Sequence, residues 1–132
     1  MNIVVDTSVW SLRFRRKTDI SDSTLTILSK SLDDGDSIFL PGFILQEILQ
    51  GVKKESEFTL LKNHLSAFYY VEPVREEYIE ASRIYNKCRV SGIQISSVDA
   101  LLASLAIQRE YYLLTTDKDF QHIGKFFPLK LL

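Results

Sequence analysis

Short apolar runs alternate along this chain with longer stretches of helical spacing, and that alternation restricts the possible folds more than any other feature. Ile3–Asp6, Ser37–Leu40, Phe68–Val71 and Tyr112–Thr115, with a fainter Leu129–Leu132, are strand-length runs. Between them, apolar residues recur at spacings of three and four. Leu25, Leu28 and Leu32 mark a helix over Ser23–Leu32, and Leu61 and Leu65 mark one over Phe58–Leu65. Tyr78, Ala81, Tyr85 and Cys88 share a face of Glu76–Arg89, as do Val98, Leu101, Leu102 and Leu105 of Val98–Arg109. Strands alternating with helices predict an α/β domain with a mostly parallel central sheet flanked by helices.

The chain of 132 residues is expected to form a single domain over 1–132. Its 16 basic and 17 acidic residues nearly cancel, so a nucleic-acid partner would have to be met by a local basic patch. Cys88 is the only cysteine, which rules out an intrachain disulfide and a cysteine-rich zinc cage. The first residues, Met-Asn-Ile-Val-Val-Asp, lack the basic start of a signal peptide, and no apolar run is long enough to span a bilayer. A cytoplasmic location, away from membranes, is the expectation.

In a parallel sheet the ligand crevice lies beyond the carboxyl ends of the strands. Asp6 ends the first strand run and Asp117 closely follows the Tyr112–Thr115 run, so both are expected at that edge. Each acid also has a plainer reading. Asp6 can cap the helix that Thr7 and Ser8 begin. Glu47, in PGFILQEILQG, borders the apolar arc of Ile44, Leu45, Ile48, Leu49 and Val52 and can simply face solvent. Asp99 completes Ser96-Ser97-Val98-Asp99, which has the form of a capping box. Asp117 in LLTTDKDF can be a turn residue, and Asp119 can serve beside it in either role. These plainer readings are independent of one another, whereas a hard-cation site requires several carboxylates at once.

Four stretches carry a family resemblance: VVDTSVW at 4–10, P-x5-E-I-x2-G at Pro41–Gly51, GIQISSVDALLASLA at 92–106 and LLTTDKDF at 113–120. In this order and spacing the chain resembles a PIN domain, and most closely a VapC-type toxin of bacterial and archaeal toxin–antitoxin pairs. The resemblance implies a three-layer sandwich and an Mg²⁺- or Mn²⁺-dependent endoribonuclease. It places an acidic quartet on Asp6, Glu47, Asp99 and Asp117, with Asp6, Asp99 and Asp117 as metal ligands and Glu47 orienting a water or helping a second ion. Asp119 falls on a position sometimes counted with the site. Ser8 and Thr115 match the supporting hydroxyls. The resemblance also implies an RNA substrate, a homodimer and a VapB-type antitoxin.

RNA needs cations as well. Arg13, Arg15, Arg16 and Lys17 follow soon after Asp6, and Lys53 and Lys54 soon after Glu47, so both groups are expected at the rim, holding phosphates. The plainer reading is a solvated helix end with Phe14 packed inward. Trp10 or Phe14 is a candidate to stack on an unpaired base. His64 and His122 lie outside the acidic motifs and are read as surface or structural residues. A receiver domain would carry a second acid beside Asp6, where Thr7 stands. A haloacid-dehalogenase-like phosphatase would need an acid at Ser8. A PIN-like module that binds RNA or protein without cutting remains the rival that metal-dependent cleavage separates.

Overall fold

The computed structural model describes residues 1–14 and 23–132; the cations Arg15, Arg16 and Lys17 lie outside the described residues. Among those described, five strands form one sheet. They are β1 (Asn2–Val5), β2 (Ser37–Pro41), β3 (Tyr69–Val71), β4 (Tyr112–Leu114) and β5 (Lys130–Leu131), in the order β3-β2-β1-β4-β5. Every pairing is parallel, with Val4 level with both Phe39 and Leu113. Ile3, Val4 and Val5 are fully buried. A strand covered on both faces has no polar side to alternate with, which is why this run reads as continuously apolar.

The helices between strands are α1 (Thr7–Phe14), α2 (Ser23–Asp33), α3 (Gly42–Leu49), α4 (Glu55–Leu65), α5 (Arg75–Val90), α6 (Ser97–Gln108) and α7 (Asp119–Gly124). From β1 the chain steps outward to β2 and β3, then returns past β1 to β4 and β5. Right-handed crossovers in opposite directions place α1–α4 on one face of the sheet and α5–α7 on the other. The packing agrees: α3 touches α1 and α4, while α5, α6 and α7 touch one another. No described helix is long and apolar enough to cross a membrane.

The four helices anticipated from periodicity are present with small shifts at their ends. α4 starts three residues before Phe58 because Glu55 and Glu57 occupy its first turn, where carboxylates favour the positive end of the helix dipole. Pro41 belongs to β2, opposite Val71, and α3 follows it directly. Trp10 is fully buried, with its ring against Phe14 at 5.9 Å and Phe68 at 4.9 Å. It therefore cannot stack on a base, and Phe14 turns inward onto it.

α5 and α6 form an antiparallel hairpin. Its turn is closed at Gly92 (φ 78°), where the Ile93 N–H reaches the Cys88 carbonyl at 2.8 Å, the left-handed helix stop that glycine favours. At the other end, Arg109 donates from Nε to Glu77 Oε2 at 2.8 Å and from Nη2 to Glu77 Oε1 at 2.9 Å. Nη2 also reaches the Glu72 carbonyl at 2.7 Å. Burial alone would raise the pKa of Glu77. The Arg109 hydrogen bonds and charge, with the Val74 N–H, outweigh burial and hold it below the ordinary value of 4.5. A lowered carboxyl pKa adds stability above the ordinary value, and that stability is lost as pH falls through the folded one. Arg109→Met should therefore cost about 3 kcal/mol in urea unfolding at pH 7, because it strands a buried carboxylate. The deficit should shrink below about pH 4. An equal deficit at both pH values would contradict the ion-pair account.

Candidate active site

β1 lies where the direction of winding reverses, between β2 and β4, so the crevice predicted for an open parallel sheet opens beyond the ends of β1 and β4. Asp6 directly follows β1 and extends its pairing, its N–H bonding the Leu114 carbonyl at 2.9 Å. Its own carbonyl accepts from Val9 N–H at 3.0 Å and so begins α1. The backbone of Asp6 thus performs the helix-starting duty, while the capping side-chain role expected of an aspartate is not used. The side chain is free for something else.

The residue is 8% exposed. A carboxylate only accepts hydrogen bonds, so the nearby hydroxyls must donate to it. Ser8 and Thr115 both donate to Oδ2, each at 2.8 Å. Ser8 in turn accepts from the Thr116 N–H at 3.2 Å, and Thr115 accepts from the Asp117 N–H at 3.0 Å. One oxygen of Asp6 therefore ties the β1–α1 junction to the β4–α7 loop, 109 residues away. Oδ1 has no donor among the described residues.

The other acids arrive from three further elements. Glu47, on α3, accepts from the Thr7 hydroxyl at 3.3 Å. Burial raises its pKa; the Thr7 bond opposes this, and the charges of Asp6 and Asp99 push it further up. Asp99 stands in the first turn of α6, its N–H bonded to Ser96 Oγ at 3.0 Å, which is the Ser96 half of the anticipated capping box. Burial raises its pKa too, hydrogen bonding from Ser96 opposes this, and the charges of Asp6 and Asp117 add to the rise. Asp117 makes the anticipated turn by accepting the Asp119 N–H at 2.9 Å on Oδ1. Glu47 thus lies within reach of the charges of Asp6 and Asp99, and Asp99 within reach of those of Asp6 and Asp117. Asp119 enters through its backbone, and its carboxylate is not among those raising Glu47 or Asp99.

The cations anticipated at the rim fare unevenly. Arg13 is exposed at the end of α1, and Lys53 and Lys54 are exposed in the turn before α4. His64 is an exposed residue of α4, and His122 is half-buried on α7. Thr7 was not singled out in the sequence as a partner for Glu47; the only sequence signal is its place between Asp6 and Ser8 at the helix start.

Residues 3–126 match the PIN domain family. The chain belongs to the PIN domain family. Among solved structures, this PIN domain is similar to VapBC2 from Rickettsia felis bound to a DNA fragment from its promoter. The TM-score is 0.80 at 20% identity, covering 100% of this chain and 98% of that one. It is similar to VapBC-1 from nontypeable Haemophilus influenzae, with a TM-score of 0.78 at 16% identity over 100% and 97% of the two chains. It also resembles VapC20 of Mycobacterium tuberculosis, a sarcin–ricin loop cleaving toxin, with a TM-score of 0.66 at 14% identity over 92% and 95%. At these identities the likeness is one of fold. No curated protein matches the chain.

A hard divalent cation suits this donor set, since all four side chains offer carboxylate oxygens and two are pushed toward protonation by burial and, to a lesser degree, by neighbouring acids. Among the described residues, no three acidic, His or Cys side chains close into a ready-made cage. An ion that keeps several of its waters does not require one. Burial of Asp99 and repulsion from its neighbours together have a testable cost without metal. A carboxyl whose folded pKa is raised weakens the fold as pH rises past its ordinary value, 3.8 for Asp99. In EDTA at pH 7, Asp99→Asn should melt a few degrees above the native protein, the gain vanishing below about pH 4. An unchanged or lower melting temperature at pH 7 would contradict the raised pKa of Asp99.

Proposed function

We propose that this PIN domain is a metal-dependent endoribonuclease, the toxin of a VapBC-type toxin–antitoxin pair. The observation that carries the reading is the nearly buried Asp6 at the carboxyl edge of the sheet, held by the Ser8 and Thr115 hydroxyls beside Asp117, with Glu47 tied to the same helix start through Thr7. The family match and the structural similarity to a sarcin–ricin loop cleaving toxin and to VapBC proteins support it. A small VapB-type antitoxin, a second copy of the chain and a cytoplasmic setting belong to the same proposal. Arg13, Lys53 and Lys54 are proposed to hold RNA phosphates.

Asp6, Asp99 and Asp117 would hold Mg²⁺ or Mn²⁺, with Glu47 beside them. When bound, such an ion supplies a water of lowered pKa and offsets charge on the phosphoryl oxygens. The chain's own residues set the geometry for that chemistry. Ser8 and Thr115 fix the Asp6 carboxylate through Oδ2 and leave Oδ1 available to a ligand. Ser96 fixes the turn that presents Asp99. Glu47, whose carboxyl holds a proton more readily than usual, orients the attacking water and is suited to receive its proton.

The test is incubation of purified protein with cellular RNA, with and without Mg²⁺ or Mn²⁺. Discrete cleavage that requires the metal is expected. Asp6→Asn should lose more than about 100-fold in rate, and Ser8→Ala about 10- to 100-fold, the range for a group that steadies a ligand. Metal-independent activity, or full activity in Asp6→Asn, would overturn the site. No cleavage by a folded native protein would leave a PIN-like binding module.

A further inference from the structure

The edge of the sheet that carries the acids also holds an open hollow of about 110 Å³, contiguous with Asp117. Thr116, Asp117, Lys118 and Gln121 form its polar wall, and Leu131 and Leu132 contribute apolar surface. This is the space of roughly four waters, enough to seat the edge of one planar ring and too small for a duplex stem. Lys118 and Gln121 are held in register by α7, where the Gln121 N–H bonds the Lys118 carbonyl at 3.0 Å. The helix is itself anchored by buried Phe120 and Ile123 and by the bond from Asp119 to Asp117. The Thr116 hydroxyl, the Lys118 ammonium and the Gln121 carboxamide have no hydrogen-bond or ion-pair partner among the described residues. An ammonium suits a phosphate. A planar carboxamide offers a donor and an acceptor side by side, the pattern that reads a base edge, and leucine side chains suit the face of a ring.

We propose that this hollow is a base subsite. It receives the unpaired base of a nucleotide flanking the cleaved bond, with Lys118 on the phosphate and Gln121 on the base edge. The proposal rests on the ribonuclease reading and deepens it. The substrate is single-stranded at this position, because only an unstacked base can present its edge to such a hollow. Gln121 then sets which base is preferred next to the cut.

Both residues are exposed, so Gln121→Leu and Lys118→Gln are expected to fold. Four single-stranded RNA tetranucleotides, each of one base, are titrated into ¹⁵N-labelled protein in EDTA, where no cutting occurs. One base class should bind tightest and shift the Gln121 side-chain amide. Gln121→Leu should abolish that preference, a loss of about tenfold or more for the favoured base. Lys118→Gln should weaken all four alike and lower the salt slope by about 0.7, the contribution of one single-strand phosphate. In parallel, native protein with Mn²⁺ should cut an RNA loop in preference to the same sequence paired. An amide of Gln121 unmoved at saturation, failure of every oligonucleotide to bind, or cleavage whose base preference survives Gln121→Leu would overturn the subsite. If the amide shifts and the preference is lost in Gln121→Leu while native protein cuts nothing, the subsite stands and the ribonuclease reading falls.

Discussion

A nearly buried carboxylate at the end of a fully apolar strand is the constraint on which the arrangement at this edge depends. Asp6 sits where β1 leaves the core, and a charge there must be compensated or it would cost several kcal/mol. The compensation comes from two hydroxyls, one local and one from the far end of the sequence, converging on the same oxygen. That convergence fixes α1 against the loop entering α7. It also leaves the second oxygen without a donor among the described residues, at the edge where Glu47 and Asp99 arrive from opposite faces of the sheet.

The arrangement pulls in two directions. Hydrogen bonds stabilise the acids, but burial first and repulsion between neighbours second raise the pKa of Glu47 and Asp99. Such clusters persist when the rest of the fold holds their supports in place. The clamp between Glu77 and Arg109 is one such support, locking α5 to the carboxyl end of α6 whose amino end presents Asp99. The buried Ile3-Val4-Val5 run is another. The stability of the scaffold lies largely away from the crevice, and the crevice concentrates unfavourable charge.

Much of this was legible in the sequence because it depends on local pattern. The strand runs, the helix spacings, the Ser96–Asp99 cap and the family motifs all lie in short windows, and the structure contains each of them. The edge to which Asp6 and Asp117 were assigned follows from the strand-end rule and is the observed one. What the sequence did not disclose is long-range or conformational. The Glu77–Arg109 pair spans 32 residues with no motif to announce it. The bond from Thr7 to Glu47 depends on how α3 crosses α1. Trp10 looked available to a base, yet nothing in its neighbours' spacing revealed that Phe14 and Phe68 would enclose it. α7 was missed because its six residues are too few for a period to show. The hollow beside it was therefore invisible as well.

The central claim is that Asp6, Asp99 and Asp117 share one divalent cation. The most direct test is a crystal grown with Mn²⁺, with the ion located by its anomalous scattering. The account predicts density among these three side chains, at coordination distance from Asp6 Oδ1 while Oδ2 keeps the Ser8 and Thr115 hydroxyls. Mn²⁺ found only elsewhere on the protein, or no ion in this crevice at saturating concentration, would contradict it.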